Sequence, residues 1–339
     1  MGHLWGIEFA PLNIPLERRL QTLGILQFFF LALIFPVLSF IIPIYLFWSQ
    51  YWLLVVAYAV WLYYDWDSPK RGAYPINWVK NLKMYKWYAD YFPVKLHKTV
   101  DYDEKKNYLI GYHPHGIISM GGWSCFSTNG TGVLELFPNI TFYLCTLVGQ
   151  FYTPLRREWA MMHGMIDCSK ESLMNTLGGE ETGKACVLVV GGAEEALDAH
   201  PGHHILTLNK RKGFIKLAIT TGAQLVPCYS FGENDIYVQA DNPKGSMTRK
   251  IQTILKDIMG FSPPIFHGRG IFNYTYGMLP FRRPMNVVLG APIPVTRKAN
   301  PSNQEIANLH EQYVLALRDL FETNKEKYGV ASTAQLVIH

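Results

Sequence analysis

Charge is missing from one long part of this chain. Across residues 20–64 there is no Asp, Glu, Lys or Arg. Helices of water-soluble proteins seldom run so far without a charge, which speaks against a buried pair of core helices. Cysteine is scarce as well. The five present (Cys125, Cys145, Cys168, Cys186, Cys228) are odd in number and form no C-x-x-C. That argues against a disulfide scaffold or a zinc ribbon and fits a cytosol-facing catalytic part. No long basic run occurs and the net charge is only +5, so nucleic acid is not an expected partner. Repeats and low-complexity tracts are absent too. There is no G-x-S-x-G elbow, which separates the chain from lipases and esterases that use one.

The uncharged run is what remains to be explained. One helical pass needs about 20 residues, so this run can supply two. Trp48-Ser49-Gln50-Tyr51 is the natural break. The first arm, residues 22–47, is long enough to span and carries Pro36 and Pro43, which predict kinks. The second arm, residues 52–64, is short: it either closes a tight hairpin or dips into one leaflet. Trp48, Tyr51, Trp52, Trp61, Tyr63, Tyr64 and Trp66 crowd the ends, as in an interfacial aromatic belt. Arg18 and Arg19 precede the run, and Lys70, Arg71, Lys80, Lys83 and Lys86 follow it. The positive-inside rule then puts both flanks in the cytosol. A cleaved signal peptide is excluded, because its apolar core is much shorter. The expected layout is a cytosolic segment 1–19, a transmembrane hairpin 20–66 and a cytosolic domain 67–339.

In that last part the apolar pattern changes. Residues 107–112, 185–190, 224–231 and 286–289 read as short buried strands. Helices are predicted over 169–177, 213–221 (closed by Gly222), 248–259 and 302–324. The last opens on the capping box Ser302-Asn303-Gln304-Glu305 and carries the core-facing stripe Ile306, Leu309, Tyr313, Leu317, Leu320. Buried strands alternating with helices predict an α/β domain with a largely parallel central sheet flanked by helices.

Several constellations could carry chemistry. His113-Pro114-His115-Gly116 stands where a strand ends, a favoured place for active sites in α/β folds. Imidazole titrates near neutrality, so a histidine on a rigid loop is suited to act as a general base. Gly191-Gly192-Ala193-Glu194-Glu195 offers glycines that let main-chain N–H groups approach a ligand and a carboxylate that could orient a histidine. Glu233 and Asn234 follow another strand. Arg156-Arg157, Lys210-Arg211-Lys212 and Arg282-Arg283 are paired bases. Phosphate recognition uses such groups, although a solvated surface is the ordinary fate of any one pair. The stretch Gly178–Ala185 imitates a P-loop but has Ala185 where Mg²⁺ binding needs Ser or Thr. Asp198, His200, His203 and His204 match no standard zinc spacing, and no metal is expected.

Taken together these residues resemble the type 2 diacylglycerol acyltransferase family, which includes monoacylglycerol and wax alcohol acyltransferases. The resemblance runs over nearly the whole chain. It is carried by His113-Pro114-His115-Gly116, Val190-Gly191-Gly192-Ala193 with Glu195, Arg211-Lys212-Gly213-Phe214, Phe231-Gly232-Glu233-Asn234 and His267-Gly268-Arg269-Gly270. Phe30-Leu31-x-Leu33 is similar to the family's neutral-lipid-binding motif. Ile7-Glu8-Phe9-Ala10-Pro11-Leu12-Asn13 and the segment from Glu17 to Leu23 resemble the monoacylglycerol branch. Glycerophosphate acyltransferases pair a His with an Asp five residues on. Here those positions hold Ile118 and Met120, so a carboxylate partner must come from elsewhere, and Glu195 is the choice.

The resemblance implies esterification of monoacylglycerol to diacylglycerol, with acyl-CoA as co-substrate and no cofactor. It implies membrane lipids as surroundings, an endoplasmic-reticulum membrane with both termini cytosolic, and lipid-droplet association. Oligomeric state stays open, a homo-oligomer included. The expected catalytic set is His115 as base, with His113 and Glu195 in support. Expected substrate contacts are Gly116, Gly191, Gly192, Arg211, Lys212, Gly213, Glu233, Asn234, Phe30, Leu31 and Leu33. Diacylglycerol or a fatty alcohol is the alternative acceptor. A non-catalytic membrane lipid-binding protein is the reading from a different class.

Overall fold

The computed structural model describes residues 3–4, 6–11, 13–261 and 263–339, with the backbone alone for His3, Leu4 and Met259. Leu12 of the opening motif lies outside the described residues. The chain starts its helical part with α1 (Leu16–Phe29). It passes through a π-helical turn (Phe30–Ile34) into α2 (Phe35–Phe47), turns at residues 48–51, and returns as α3 (Trp52–Asp65). The break therefore falls at the Trp48-Ser49-Gln50-Tyr51 tract. Among the described residues one helix, Leu16–Phe47, is long and apolar enough to cross a membrane.

The charge-free run and the exposed apolar run do not coincide. The first half of the long helix packs on α4 (Lys83–Tyr91), burying Gln21, Gly24 and Ile25. The contact is close: a Cβ on Gly24 would meet the Tyr88 nitrogen at 2.7 Å. Between Gln21 and Phe29 only Leu23 is exposed, whereas from Phe30 onward Leu33, Val37, Phe40, Ile41 and Ile44 all face outward. The π turn at that junction has a local cause. Phe35 donates its N–H to the Phe30 carbonyl and Pro36 has none to give, so the Leu31 carbonyl is left over. Arg156 Nη1 takes it at 3.2 Å.

The second arm is fastened differently. Arg157, on α5 (Arg156–Met162), is buried, and its Nη1 lies 2.7 Å from Asp65 Oδ2 at the end of α3 and 3.0 Å from Glu158 Oε1. Arg157 Nη2 donates to the Asp65 carbonyl, and Tyr58 of α3 donates to Glu158 at 2.9 Å. The Arg156-Arg157 pair is thus neither a phosphate site nor solvated surface. It ties the hairpin to the domain.

That domain is built on a seven-stranded sheet: β1 (Val94–Lys98), β2 (Tyr108–His113), β3 (Thr141–Thr146), β4 (Met165–Asp167), β5 (Lys184–Val189), β6 (Gln224–Phe231) and β7 (Met285–Leu289). Across the sheet the order is β1-β7-β6-β2-β5-β3-β4. Strands β6, β2, β5, β3 and β4 are mutually parallel; β7 is antiparallel to β6 and parallel to β1. The expected α/β class with a mostly parallel sheet is what the structure shows. Strand β2 is buried on both faces, as its unbroken apolar sequence requires. Ile110 and Tyr112 join one core with Tyr88, Phe92, Trp123 and Phe126. Leu109 joins the other with Leu173, Phe214 and Leu317. These last come from α6 (Lys170–Leu177), α8 (Gly213–Thr221) and α10 (Asn303–Asn324), which cover that face. The predicted caps are present: Ser169 accepts from the Ser172 N–H, and Ser302 and Glu305 form the reciprocal box.

Candidate active site

Because β2, β5 and β6 are parallel and adjacent, their carboxyl ends share one edge. His113 closes β2, Gly191 and Gly192 follow β5, and Gly232 and Glu233 follow β6. Parallel pairing thus brings together three segments far apart in sequence.

His113 is buried and neutral, because burial pulls its imidazole down to about 3. Its Nε2 lies 3.0 Å from the Tyr313 hydroxyl, which itself donates to the Gly111 carbonyl at 3.1 Å. Nε2 therefore carries the proton that Tyr313 accepts. Nδ1 is left buried without a hydrogen-bond partner.

His115 is only half-buried. Its Nδ1 lies 3.0 Å from the Gly116 carbonyl. A carbonyl can only accept, so Nδ1 bears the hydrogen and Nε2 keeps its lone pair. Burial lowers the imidazole below its ordinary 6.5, so it is neutral at pH 7. A neutral ring with a fixed tautomer and an available Nε2 is equipped to take a proton.

Glu195, on the short helix α7 (Gly192–Ala196), hydrogen-bonds main-chain groups and neither ring. Its Oε2 accepts the His115 main-chain N–H at 2.7 Å, and its Oε1 accepts the Thr207 N–H at 2.9 Å. The expected orientation of an imidazole by this carboxylate is corrected accordingly: both oxygens are occupied by backbone donors, so Glu195 holds the loop, not the ring. A side chain on Gly191 would overlap the Glu195 carboxylate, which is why glycine stands there. Burial pushes the Glu195 carboxyl up to about 7, against the pull of those two N–H groups.

Glu233 is buried beneath the same loop. Tyr112 Oη donates to it at 2.6 Å, Ser230 Oγ at 3.0 Å and the Gly121 N–H at 3.2 Å. Gly116, with φ +60°, passes so close that a Cβ would come within 2.7 Å of Glu233 Cγ. The expected substrate contact is therefore a support: its oxygens are taken by protein donors. Asn234 donates to the His203 carbonyl at 2.8 Å, while its Oδ1 is buried without a partner.

Arg211, Lys212 and Gly213 are exposed at the amino end of α8. Arg211 reaches the Gly191 carbonyl only at 3.4 Å, so the cluster neighbours the glycine loop with most of its donors uncommitted. Phe30, Leu31 and Leu33 belong to the π turn of the hairpin, on a different element from the sheet-edge loops. Sequence reasoning missed Tyr313, Tyr112, Ser230 and Thr207. The one available signal was Tyr313, the only polar side chain in the apolar stripe of α10.

Fold and site define an α/β domain with a histidine loop at the carboxyl edge of its sheet, joined to an apolar helical hairpin. The chain belongs to the diacylglycerol acyltransferase family, whose family model matches residues 44–339. It is 46% identical over 331 residues to 2-acylglycerol O-acyltransferase 1 of Bos taurus, covering 98% of this chain and 99% of that one. It is 43% identical to diacylglycerol O-acyltransferase 2 of Dictyostelium discoideum, over 98% and 100% of the two chains. To diacylglycerol O-acyltransferase 2 of Homo sapiens it is 40% identical, over 95% and 84%.

Proposed function

We propose that the chain is an acyl-CoA-dependent O-acyltransferase that esterifies the free hydroxyl of a monoacylglycerol, giving diacylglycerol. The observation that carries the mechanism is the fixed tautomer of His115, with Nδ1–H committed to the Gly116 carbonyl and Nε2 available. Nε2 takes the proton of the acceptor hydroxyl as its oxygen bonds to the thioester carbonyl carbon. The tetrahedral intermediate collapses, the carbon–sulfur bond breaks, and His115 returns the proton to the departing sulfur, so that coenzyme A leaves as the thiol and the neutral imidazole is restored. Tyr313 and Glu195 act on the loop: one fixes His113, the other the His115 main chain. Lys210, Arg211 and Lys212 bind the coenzyme A phosphates, a use their exposed cations support. Acceptor choice follows the relatives named 2-acylglycerol O-acyltransferase, to which this chain is 44–46% identical.

The layout proposed with this activity is a cytosolic amino-terminal segment, a hairpin in the endoplasmic-reticulum membrane whose immersed part begins near Phe30, and a cytosolic acyltransferase domain. Both termini face the cytosol, and a protease-protected carboxyl terminus on sealed microsomes would overturn that. The activity is tested by supplying the purified full chain with acyl-CoA and monoacylglycerol, diacylglycerol or fatty alcohol in competition. Diacylglycerol as main product is expected. A main product from either other acceptor overturns the acceptor assignment, and no acyl-CoA consumption with any acceptor overturns the enzyme.

A further inference from the structure

A groove of about 1280 Å³ lies apart from the histidine loop, none of whose residues line it. It lies between α1 and the amino-terminal segment on one side and residues 269–284 on the other. Its walls are largely apolar, with Leu23 and Phe272 among them, yet they also carry Arg18, Arg269 and Arg282, and no acidic side chain lines it among the described residues.

Two of these cations are held firmly by neutral groups. Arg282 donates to Gln21 Oε1 at 2.6 Å, to the Arg18 carbonyl and the Thr22 hydroxyl at 3.1 Å, and stacks over the Tyr91 ring at 4.0 Å. The other charges it feels include Arg18 and Arg269, both positive, and burial lowers its guanidinium to about 10. Arg269, only 7% exposed, donates from Nε to the Gly270 carbonyl at 3.2 Å and covers the Tyr274 ring at 4.5 Å. Clustering cations in a partly desolvated groove without a carboxylate is unfavourable unless an anion completes it.

The groove's position narrows the choice of anion. Leu26 lines it, and the exposed apolar part of the same helix starts four residues on at Phe30, about 6 Å along the axis. The groove therefore meets the base of the hairpin, at the depth of lipid headgroups when the hairpin is immersed. A soluble phosphate would use the arginines and leave the apolar walls bare.

We infer that this groove binds an anionic glycerophospholipid, its headgroup on Arg18, Arg269 and Arg282 and its acyl chain along Leu23 and Phe272. The groove wall also backs onto the segment that carries Glu233: a Cβ on Gly232 would collide with the carbonyl of Pro284. Lipid occupancy is thus placed to steady the segment beneath the histidine loop.

The test uses the full chain in phosphatidylcholine nanodiscs with or without phosphatidic acid, reading retained lipid by native mass spectrometry. Phosphatidic acid should be retained in preference to phosphatidylcholine. Arg18→Gln, Arg269→Gln and Arg282→Gln should each weaken retention about fivefold. Arg18 is exposed, so its variant reads the site without a folding defect. Equal retention of the two lipids overturns the inference, as does an Arg18→Gln variant with wild-type retention. Displacement by inorganic phosphate at matched concentration shows a plain phosphate site and overturns the lipid assignment. Displacement by acyl-CoA makes the groove the donor site and overturns it too. Because the readout is binding, the result stands apart from whether acyl transfer is observed.

Discussion

The two most apolar regions of this protein have opposite fates. Strand β2 buries its side chains on both faces, with Leu109 and Ile110 fully inaccessible. Along α2, Ile41, Ile42 and Ile44 are exposed, Ile44 at 61%. Side-chain chemistry is the same in both, so hydrophobicity alone does not decide burial. Run length and partners do. A six-residue strand finds two neighbours and two covering layers, whereas the hairpin arms find mainly each other and leave their other faces exposed. In the function proposed above, chemistry falls to the buried region and placement to the exposed one.

If that division holds, damage to one region should leave the other's property intact. The largest effect is expected at the sheet edge. His115→Ala should lower turnover by about 10²–10⁴, the usual range for a general base, while membrane recovery is unchanged. Measured kcat near wild type would remove His115 from the base role. The acid limb of the wild-type rate profile should fall below the ordinary imidazole value of 6.5, since burial disfavours the charged ring.

Arg157→Ala comes next, because it strands the buried Asp65 carboxylate. Loss of one partner in a buried pair costs about 3–5 kcal/mol. Thermal unfolding should show the drop, and Arg157→Ala combined with Asp65→Ala should recover part of it. No recovery would mean that the pair does not hold the hairpin. A pair of apolar truncations then reads the comparison directly. Ile110→Ala should destabilise the domain by about 2–5 kcal/mol, while Ile41→Ala should leave its stability within about 0.5 kcal/mol. Equal losses would show that α2 is part of the core.

The smallest effect is a pH slope. Glu195 holds its proton up to about 7 in the fold, against an ordinary 4.5. A raised acid adds stability that is whole below 4.5 and declines as pH rises to about 7, because the native state binds the extra proton in that window. Above it the slope from this group should vanish. Glu195→Gln should flatten the decline in chemical-denaturation curves, and an unchanged slope would assign it to another group.

The contrast also marks what could be read from sequence. The hairpin break, the four central strands and the caps at Ser169 and Ser302 were legible because each depends on local spacing and turn chemistry. The histidine loop was legible for the same reason. The strands β1, β3 and β4 were not, because Val94–Lys98 alternates polar residues at a sheet edge and Met165–Asp167 is too short to show a period. Tyr313 was read only as part of a core-facing stripe, since its bond to His113 spans 200 residues. Glu195 was found, but its contact with a main-chain N–H carries no side-chain signature. Arg157 looked like surface because Asp65 lies 92 residues away.

The long helix is pinned at one end by the near-contact of Gly24 with the Tyr88 backbone, and its π turn is closed by Arg156. It is therefore a stilt whose footing is fixed into the domain. Under the membrane placement proposed above, the height of His115 over a bilayer is then set by that footing, and a thinner or more curved membrane is met by tilting the whole body, not by sliding it.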